Sequence, residues 1–229
     1  MINPKAFVVH FKIRKITMKT FKLDVYLVTD RDLSKGRSLE WVVEEALKGG
    51  ADIVQLREKD MDTADFVQEA RRIKKLTNRY GKILLINDRI DVAMAVGADG
   101  VHIGQKDIPY TDARRLLGPE AIIGLSVESL EQADEANAYD VDYIAISPVY
   151  RTPTKEELIN ELGLDGVRAI TRISRHKAVG IGSIKAHNAA EVIRYGANGV
   201  AVVSGICGAD DPRIATQELK EIVEKAKNK

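Results

Sequence analysis

The chain has 229 residues, 35 of them basic and 34 acidic, for a formal net charge of +1. That balance supplies no global field for nucleic acid or an anionic membrane, so any anion must be held by a local cluster. A single cysteine, Cys207, rules out an internal disulfide and suits a reducing, cytoplasmic setting, and no apolar run approaches the ~20 residues of a membrane span.

The first twenty residues differ in pattern from the rest of the chain. "AFVVHFKI" is apolar but short, is broken by His10, Lys12 and Arg14, and has no small-residue cleavage site behind it, so it does not read as a secretory signal. Met18 lies just before "KTFKLDVYLVTD", where a regular pattern begins. Residues 1–20 are therefore read as an extension preceding a catalytic domain at 21–229, with an ordered plug under the fold as the alternative.

From there a unit of roughly twenty-five residues recurs: a short apolar run, a polar turn and a stretch with helical spacing. The apolar runs are "DVYLV" (24–28), "DIVQL" (52–56), "KILLI" (82–86), "GVHI" (100–103), "AIIGL" (121–125), "DYIAI" (142–146), "KAVGI" (177–181) and "GVAVV" (199–203). Leu39/Val42/Val43/Ala46/Leu47, Phe66/Ala70/Ile73/Leu76 and Ala189/Val192/Ile193 carry the helical period. Strand and helix alternating eight times with no hairpin signal predicts parallel strands joined by crossovers, hence a single-domain α/β (β/α)8 TIM barrel. A doubly wound open sheet is the runner-up.

In a barrel, chemistry belongs where strands end. Strand side chains alternate, so in "VQLREKD" Gln55, Arg57 and Lys59 share the face toward the mouth, while Val54 and Leu56 suit the helix layer. An amide and two cations there predict an anion site, with surface charge on a frayed strand as the alternative. The third run exits at Asn87 and Asp88, and the fourth leads to Asp107. Two carboxylates at adjacent exits beside Arg57 and Lys59 suit Mg2+ bridged to substrate phosphates, although Asp88 taken alone reads better as a helix cap. Ser126 follows the fifth run in the mouth, and Ser129 reads as a helix cap. The longest irregular piece, "SPVYRTPTKEELINELG" (147–163), brings Thr152, Pro153, Thr154 and Lys155, able to hold a phosphate or a leaving pyrophosphate. Gly182 and Ser183 follow the seventh run, and Val203, Ser204 and Gly205 the eighth, where backbone N–H groups commonly hold phosphate. Two anion sites across one mouth suggest the joining of two phosphorylated small molecules. His102 reads as packing or support rather than a base, and Cys207 as an inert buried thiol.

The runs "QLREKD", "INDRIDVAMAVGADGVHIGQKDIP", "GLSVES", "SPVYRTPTK", "ELGLDG" and "ANGVAVVSGI" resemble the thiamin phosphate synthase (thiamin-phosphate pyrophosphorylase) family, from about Tyr26 to Gly205. The resemblance implies a transferase joining hydroxymethylpyrimidine pyrophosphate to hydroxyethylthiazole phosphate with release of pyrophosphate. It implies Gln55, Arg57, Lys59, Asn87, Ser126 and Lys155 as contacts to the pyrimidine substrate, with Arg57, Lys59 and Lys155 stabilising the leaving group. It implies Asp88 and Asp107 as Mg2+ ligands, and Thr152, Pro153, Thr154, Gly182, Val203 and Ser204 as the thiazole-phosphate site. Ser183 stands where that family commonly has a second glycine, and Arg151 and "KEEL" after Lys155 also depart from common versions. Two rival readings are a thiazole-handling isomerase of the same fold and a non-catalytic phosphate-ligand sensor. Oligomeric state is left open, with a homo-oligomer as one outcome.

Overall fold

The computed structural model describes residues 21–151 and 161–228. The extension at 1–20 and the loop residues Thr152, Pro153, Thr154 and Lys155 lie outside the described residues. Among the described residues there are eight strands: β1 (Val25–Val28), β2 (Ile53–Leu56), β3 (Ile83–Asn87), β4 (Gly100–Ile103), β5 (Ile122–Val127), β6 (Tyr143–Ile146), β7 (Lys177–Ile181) and β8 (Gly199–Val202). Each falls on one of the eight apolar runs. They pair in parallel in chain order, and β8 returns to β1 with Tyr26 opposite Ala201, which closes the barrel and excludes the open sheet.

The helices are α1 (Leu39–Lys48), α2 (Thr63–Arg79), α3 (Ile90–Val96), α4 (Tyr110–Leu117), α5 (Leu130–Ala136), α6 (Gly163–Ile173), α7 (Ala186–Arg194), the short α8 (Ser204–Cys207) and α9 (Pro212–Lys227). α1 shows why they form. The Ser38 side chain accepts the Trp41 N–H at 3.3 Å, so the first turn is capped. Leu39, Val42, Val43, Ala46 and Leu47 recur at helical spacing and are all buried against the barrel. Each large apolar side chain contributes about 1.5–3 kcal/mol. Val43→Asp would place an unpaired carboxylate in that stripe and undo it.

Alternation along the strands makes two cores. Val25, Leu27, Val54, Leu56, Leu84 and Ile86 face the helices. Tyr26, Val28, Ile53, Leu85, Tyr143, Val179 and Ala201 fill the barrel itself. The sorting of Val54 and Leu56 away from Gln55 obeys the period of two.

The bottom of the barrel is pinned by a repeated device. Asp99 accepts the Leu84 N–H, Asp142 the Ile123 N–H and Asn198 the Ala178 N–H, each at 2.8 Å, and Asp52 accepts the Val25 N–H at 3.5 Å. In each case the residue just before an even strand satisfies the start of the odd strand before it. The carboxylates are charge-balanced: Asp52 by Lys82 and Lys220, Asp99 by Lys74, and Asp142 by Arg114. Lys220 and Lys227 of α9 also pair with Asp24, tying the last helix to the first strand.

Candidate active site

The exits of β2, β3 and β4 are neighbours at the top of the barrel, so Arg57, Lys59, Asp88 and Asp107 follow three adjacent strands at one end. Arg57 is held rather than free. Its N–H donates to Thr29 Oγ1 at 3.0 Å, and its guanidinium lies 3.7 Å from Asp30. Asp30 in turn accepts the Leu33 N–H at 3.0 Å, which fixes the carboxylate. Lys59 is exposed, and with Arg57 it lines a cavity of about 480 Å³ shared with Asp30, Arg31, Glu58 and Asp62.

The cations of the β2 exit do not stand alone. Arg31, Arg57 and Lys59 face six carboxylates around that cavity, from Asp30, Asp32, Glu58, Asp60, Asp62 and Asp65. The excess comes from the β1 loop and the start of α2, which the fold brings over the exit. Arg31 bonds Glu58 at 2.8 Å and also pairs with Glu69. Burial pushes the Glu69 carboxyl up, and Arg31 only partly opposes this.

Asp88 does not cap α3; Arg89 holds the N-cap position. Asp88 instead occupies the left-handed region at φ 60°, its N–H donating to the His102 carbonyl at 2.9 Å while the Arg89 N–H reaches back to the Asn87 carbonyl at 2.7 Å. Such a conformation in a non-glycine residue costs on the order of 1 kcal/mol or more, and Asp is among the residues that adopt it most readily. Asn87 Nδ2 donates to Asp88 Oδ2 at 2.6 Å, and the Gly104 N–H donates to Asp107 Oδ2 at 2.7 Å, so both carboxylates are oriented. Two oriented carboxylates are the hard oxygen donors that Mg2+ accepts. Among the described residues no three His, Cys, Asp or Glu side chains gather as a metal site. A magnesium ion at Asp88 and Asp107 would therefore draw its other oxygens from water and phosphate, which fits its ordinary chemistry.

Below these exits a chain of polar side chains crosses the barrel interior. Gln55 Nε2 bonds Tyr26 Oη at 2.5 Å, Tyr26 Oη bonds Tyr143 Oη at 2.8 Å, and Tyr143 Oη bonds His102 Nδ1 at 2.9 Å. His102 Nε2 then bonds Ser126 Oγ at 2.9 Å. Gln55 and Ser126 are thus joined through three residues, and all five are buried. His102 is bonded at both ring nitrogens, which accords with the packing or supporting place expected of it. Tyr26 and Tyr143 were not singled out from sequence; the available signal was a tyrosine at an inward position of an apolar strand, whose hydroxyl must find a partner. Gly124 makes room for the chain. Its backbone needs no glycine, but a Cβ there would lie 2.1 Å from Tyr143 Cζ and 2.2 Å from its hydroxyl.

On the far side, β7 exits through Gly182 at φ 112° and Ser183 at φ 49°. A Cβ on Gly182 would meet Pro148 at 2.8 Å and the Tyr150 carbonyl at 3.0 Å, so this glycine lets the chain after β6 lie against β7. Ser183, the departure from the common glycine, uses its hydroxyl to donate to the Arg151 carbonyl at 2.6 Å. After β8, Val203 leads directly into the four-residue α8, which begins at Ser204. Ser183 and Ser204 line one cavity of about 560 Å³ with Tyr150, Lys185, His187 and Asn188. Cys207 is fully buried, and burial pushes its thiol up to about 11, in keeping with an inert role.

The model of the family described as thiamine monophosphate synthase matches residues 25–206. The chain belongs to the thiamine monophosphate synthase family. It is 48% identical over 202 residues to a thiamine-phosphate synthase of Albidiferax ferrireducens, covering 88% of this chain and 92% of that protein. It is 45% identical over 199 residues to one of Chloroflexus aurantiacus, covering 87% and 92%. Among solved structures, the thiamine phosphate pyrophosphorylase from Pyrococcus furiosus superposes with a TM-score of 0.82 at 39% identity, covering 89% of this chain and 96% of that one. The family read from the sequence motifs and the barrel fold are both borne out. No helix among the described residues is long and apolar enough to cross a membrane.

Proposed function

We propose that the chain is a thiamine-phosphate synthase, a transferase that joins hydroxymethylpyrimidine pyrophosphate to hydroxyethylthiazole phosphate and releases pyrophosphate. The observation that carries this reading is the family match over residues 25–206, which includes Gln55, Arg57, Lys59, Asn87, Asp88, Asp107 and Ser126 at one end of the barrel. The single buried cysteine accords with a cytoplasmic location.

In the reaction the pyrimidine CH2–O bond breaks and pyrophosphate departs with the electron pair. The thiazole nitrogen then forms the C–N bond with its own lone pair. No nucleophilic side chain is required, which agrees with the inert Cys207 and the fully bonded His102. Arg57, Lys59 and Lys155 would stabilise the negative charge that develops on the leaving group. Asp88 and Asp107 would hold Mg2+, which when bound supplies positive charge to the pyrophosphate oxygens. The excess of carboxylates around Arg57 and Lys59 gives that charge a local reason: an unaided diphosphate would enter against them. Gln55 and Ser126 would orient the pyrimidine, and Thr152, Pro153, Thr154, Gly182, Val203 and Ser204 would anchor the thiazole phosphate so that the nitrogen meets the carbon.

A pyrophosphate-release assay with both substrates and Mg2+, omitting each in turn, tests the reading. Release that depends on all three supports it. Release without the thiazole phosphate, or none with the full mixture, refutes it and returns the isomerase or sensor readings.

A further inference from the structure

Arg37 belongs to the β1 loop, yet it is bonded to the end of α8, 170 positions later. Its Nη2 donates to the Cys207 carbonyl at 2.6 Å, and its Nη1 to the carbonyls of Ala209 at 2.7 Å and Asp210 at 3.2 Å. Its Nε donates to the Ser34 carbonyl at 2.8 Å, and the guanidinium lies over the Trp41 ring, 5.4 Å from its centre. All four hydrogen bonds go to backbone carbonyls, so the planar fork matters at this place as well as the charge.

α8 depends on such a partner. Ser204–Cys207 is a single turn, closed by the Gly208 N–H donating to the Ser204 carbonyl at 3.1 Å. One turn is not stable alone, and its last carbonyls have no partner within the helix. The turn is held from outside at both ends. At the start, a Cβ on Gly205 would lie 2.8 Å from Val202 Cγ1 and 3.2 Å from the Ile184 carbonyl, so the turn is seated closely on the strand exits. At the end Arg37 grips it. A four-residue turn is only about 6 Å long, so a shift at Cys207 is carried to Ser204. The β1 loop is fixed without Arg37: Asp30 accepts the Leu33 N–H at 3.0 Å, and Ser34 Oγ donates to the Asp30 carbonyl at 2.7 Å. Loss of Arg37 therefore leaves the Asp30–Arg57 pair in place.

We infer that Arg37 is a positioning residue for the second substrate: it fixes the end of α8 and, through that turn, the place of Ser204. This rests on the proposed function, in which Ser204 anchors the thiazole phosphate, and it adds the residue that holds the anchor. Arg37 then serves one substrate and not the other, because its bonds run to α8 while the Arg57 side of the loop has its own.

Steady-state pyrophosphate release by Arg37→Met and Arg37→Lys, with each substrate varied in turn, tests this. In both variants KM for hydroxyethylthiazole phosphate should rise about tenfold, the loss of one hydrogen bond to a charged group. KM for the pyrimidine pyrophosphate, and kcat with both substrates saturating, should stay within about twofold of the wild type. Lysine keeps the charge without the fork, so it should fail as methionine does. Asp210→Asn is the control for the corner itself. It removes the 2.8 Å pair with Lys35, keeps the carbonyl that Arg37 uses, and should leave both KM values unchanged. An unshifted KM for the thiazole phosphate in either Arg37 variant, an equal rise for both substrates, or an Asp210→Asn shift as large as that of Arg37→Met overturns the role. No release by the wild type rejects the thiazole site and this role with it, a result distinct from an unshifted KM in an enzyme that turns over.

Discussion

The acids under the strands give a prediction with an internal control. Asp142 Oδ2 accepts the N–H of fully buried Ile123 at 2.8 Å and the Arg114 Nη2 hydrogen at 3.0 Å. Asp142→Ala leaves the Ile123 N–H without a partner, at about 1–3 kcal/mol. It also removes a mostly buried ion pair, about 1 kcal/mol more, since Arg114 keeps its bonds to the Ala121 and Asp140 carbonyls. The sum is about 3 kcal/mol, or roughly 6–12 °C in Tm for a chain of this size. Asp142→Asn keeps an acceptor for Ile123 and loses only the charge, so about 1 kcal/mol and 2–4 °C are expected. The protein already uses that solution: Asn198 accepts the Ala178 N–H at 2.8 Å in the equivalent place below β7. Thermal unfolding monitored by circular dichroism, with urea titration alongside, reads both variants. Equal losses for Ala and Asn would show that the ion pair, not the backbone acceptor, carries the site.

Lys155→Ala should lower turnover by ~10²–10³ with Tm unchanged, and wild-type kcat at saturating substrates would remove Lys155 from the leaving-group site. Asp88→Ala and Asp107→Ala should each raise the magnesium concentration needed for half-maximal rate; an unshifted titration excludes the residue concerned. Asp30→Asn keeps the cap on Leu33 but frees Arg57 of its counterion, so pyrophosphate measured without magnesium should bind about threefold tighter or more; weaker binding would mean that Asp30 serves to aim Arg57. Burial pushes the Asp24 carboxyl up, but the hydrogen bonds and charges of Lys220 and Lys227 outweigh it and hold the group below its ordinary 3.8. A depressed carboxylate stabilises the fold above its unfolded value and loses that contribution as pH falls through the folded one. The deficit of Asp24→Asn in urea midpoint should therefore be full at pH 7 and shrink below about pH 4, and a pH-independent gap would contradict the assignment.

The barrel was legible because its signals are local. Each apolar run became a strand, the i, i+3, i+4 spacing of Leu39 to Leu47 became α1, and alternation in β2 placed Gln55 inside and Leu56 outside. Asp88 shows where a local signal misleads. Its position before a helical stretch reads as a cap, yet the chain turns through a left-handed residue there and the cap position passes to Arg89. What sequence could not show is what meets across the barrel. Tyr26 and Tyr143 are 117 positions apart, and their contact depends on the stagger of the closed sheet, which no window of residues encodes. Of the carboxylates around Lys59, Glu58, Asp60, Asp62 and Asp65 are its sequence neighbours, and only Asp30 and Asp32 were hidden for the same reason. Asp30 and Asp32 lie more than twenty positions upstream on the β1 loop, and their approach is a property of the loop's path rather than of either segment.

The two ends of the barrel place their buried polar groups under different rules. At the bottom Asp99 and Asp142 each serve the strand next to them and a nearby cation, and Asn198 the strand alone, so these three share no partner, whereas Asp24 and Asp52 are joined through Lys220. Losses at Asp99, Asp142 and Asn198 should add, while those at Asp24 and Asp52 should couple. At the top, one chain of bonds draws on β1, β2, β4, β5 and β6, and every joint depends on the hydrogen placed at the next. Losses there should not add, because breaking one joint already frees the rest. Most of the polar contacts at the bottom are local pairs, whereas the buried polar groups nearer the mouth form a single connected set.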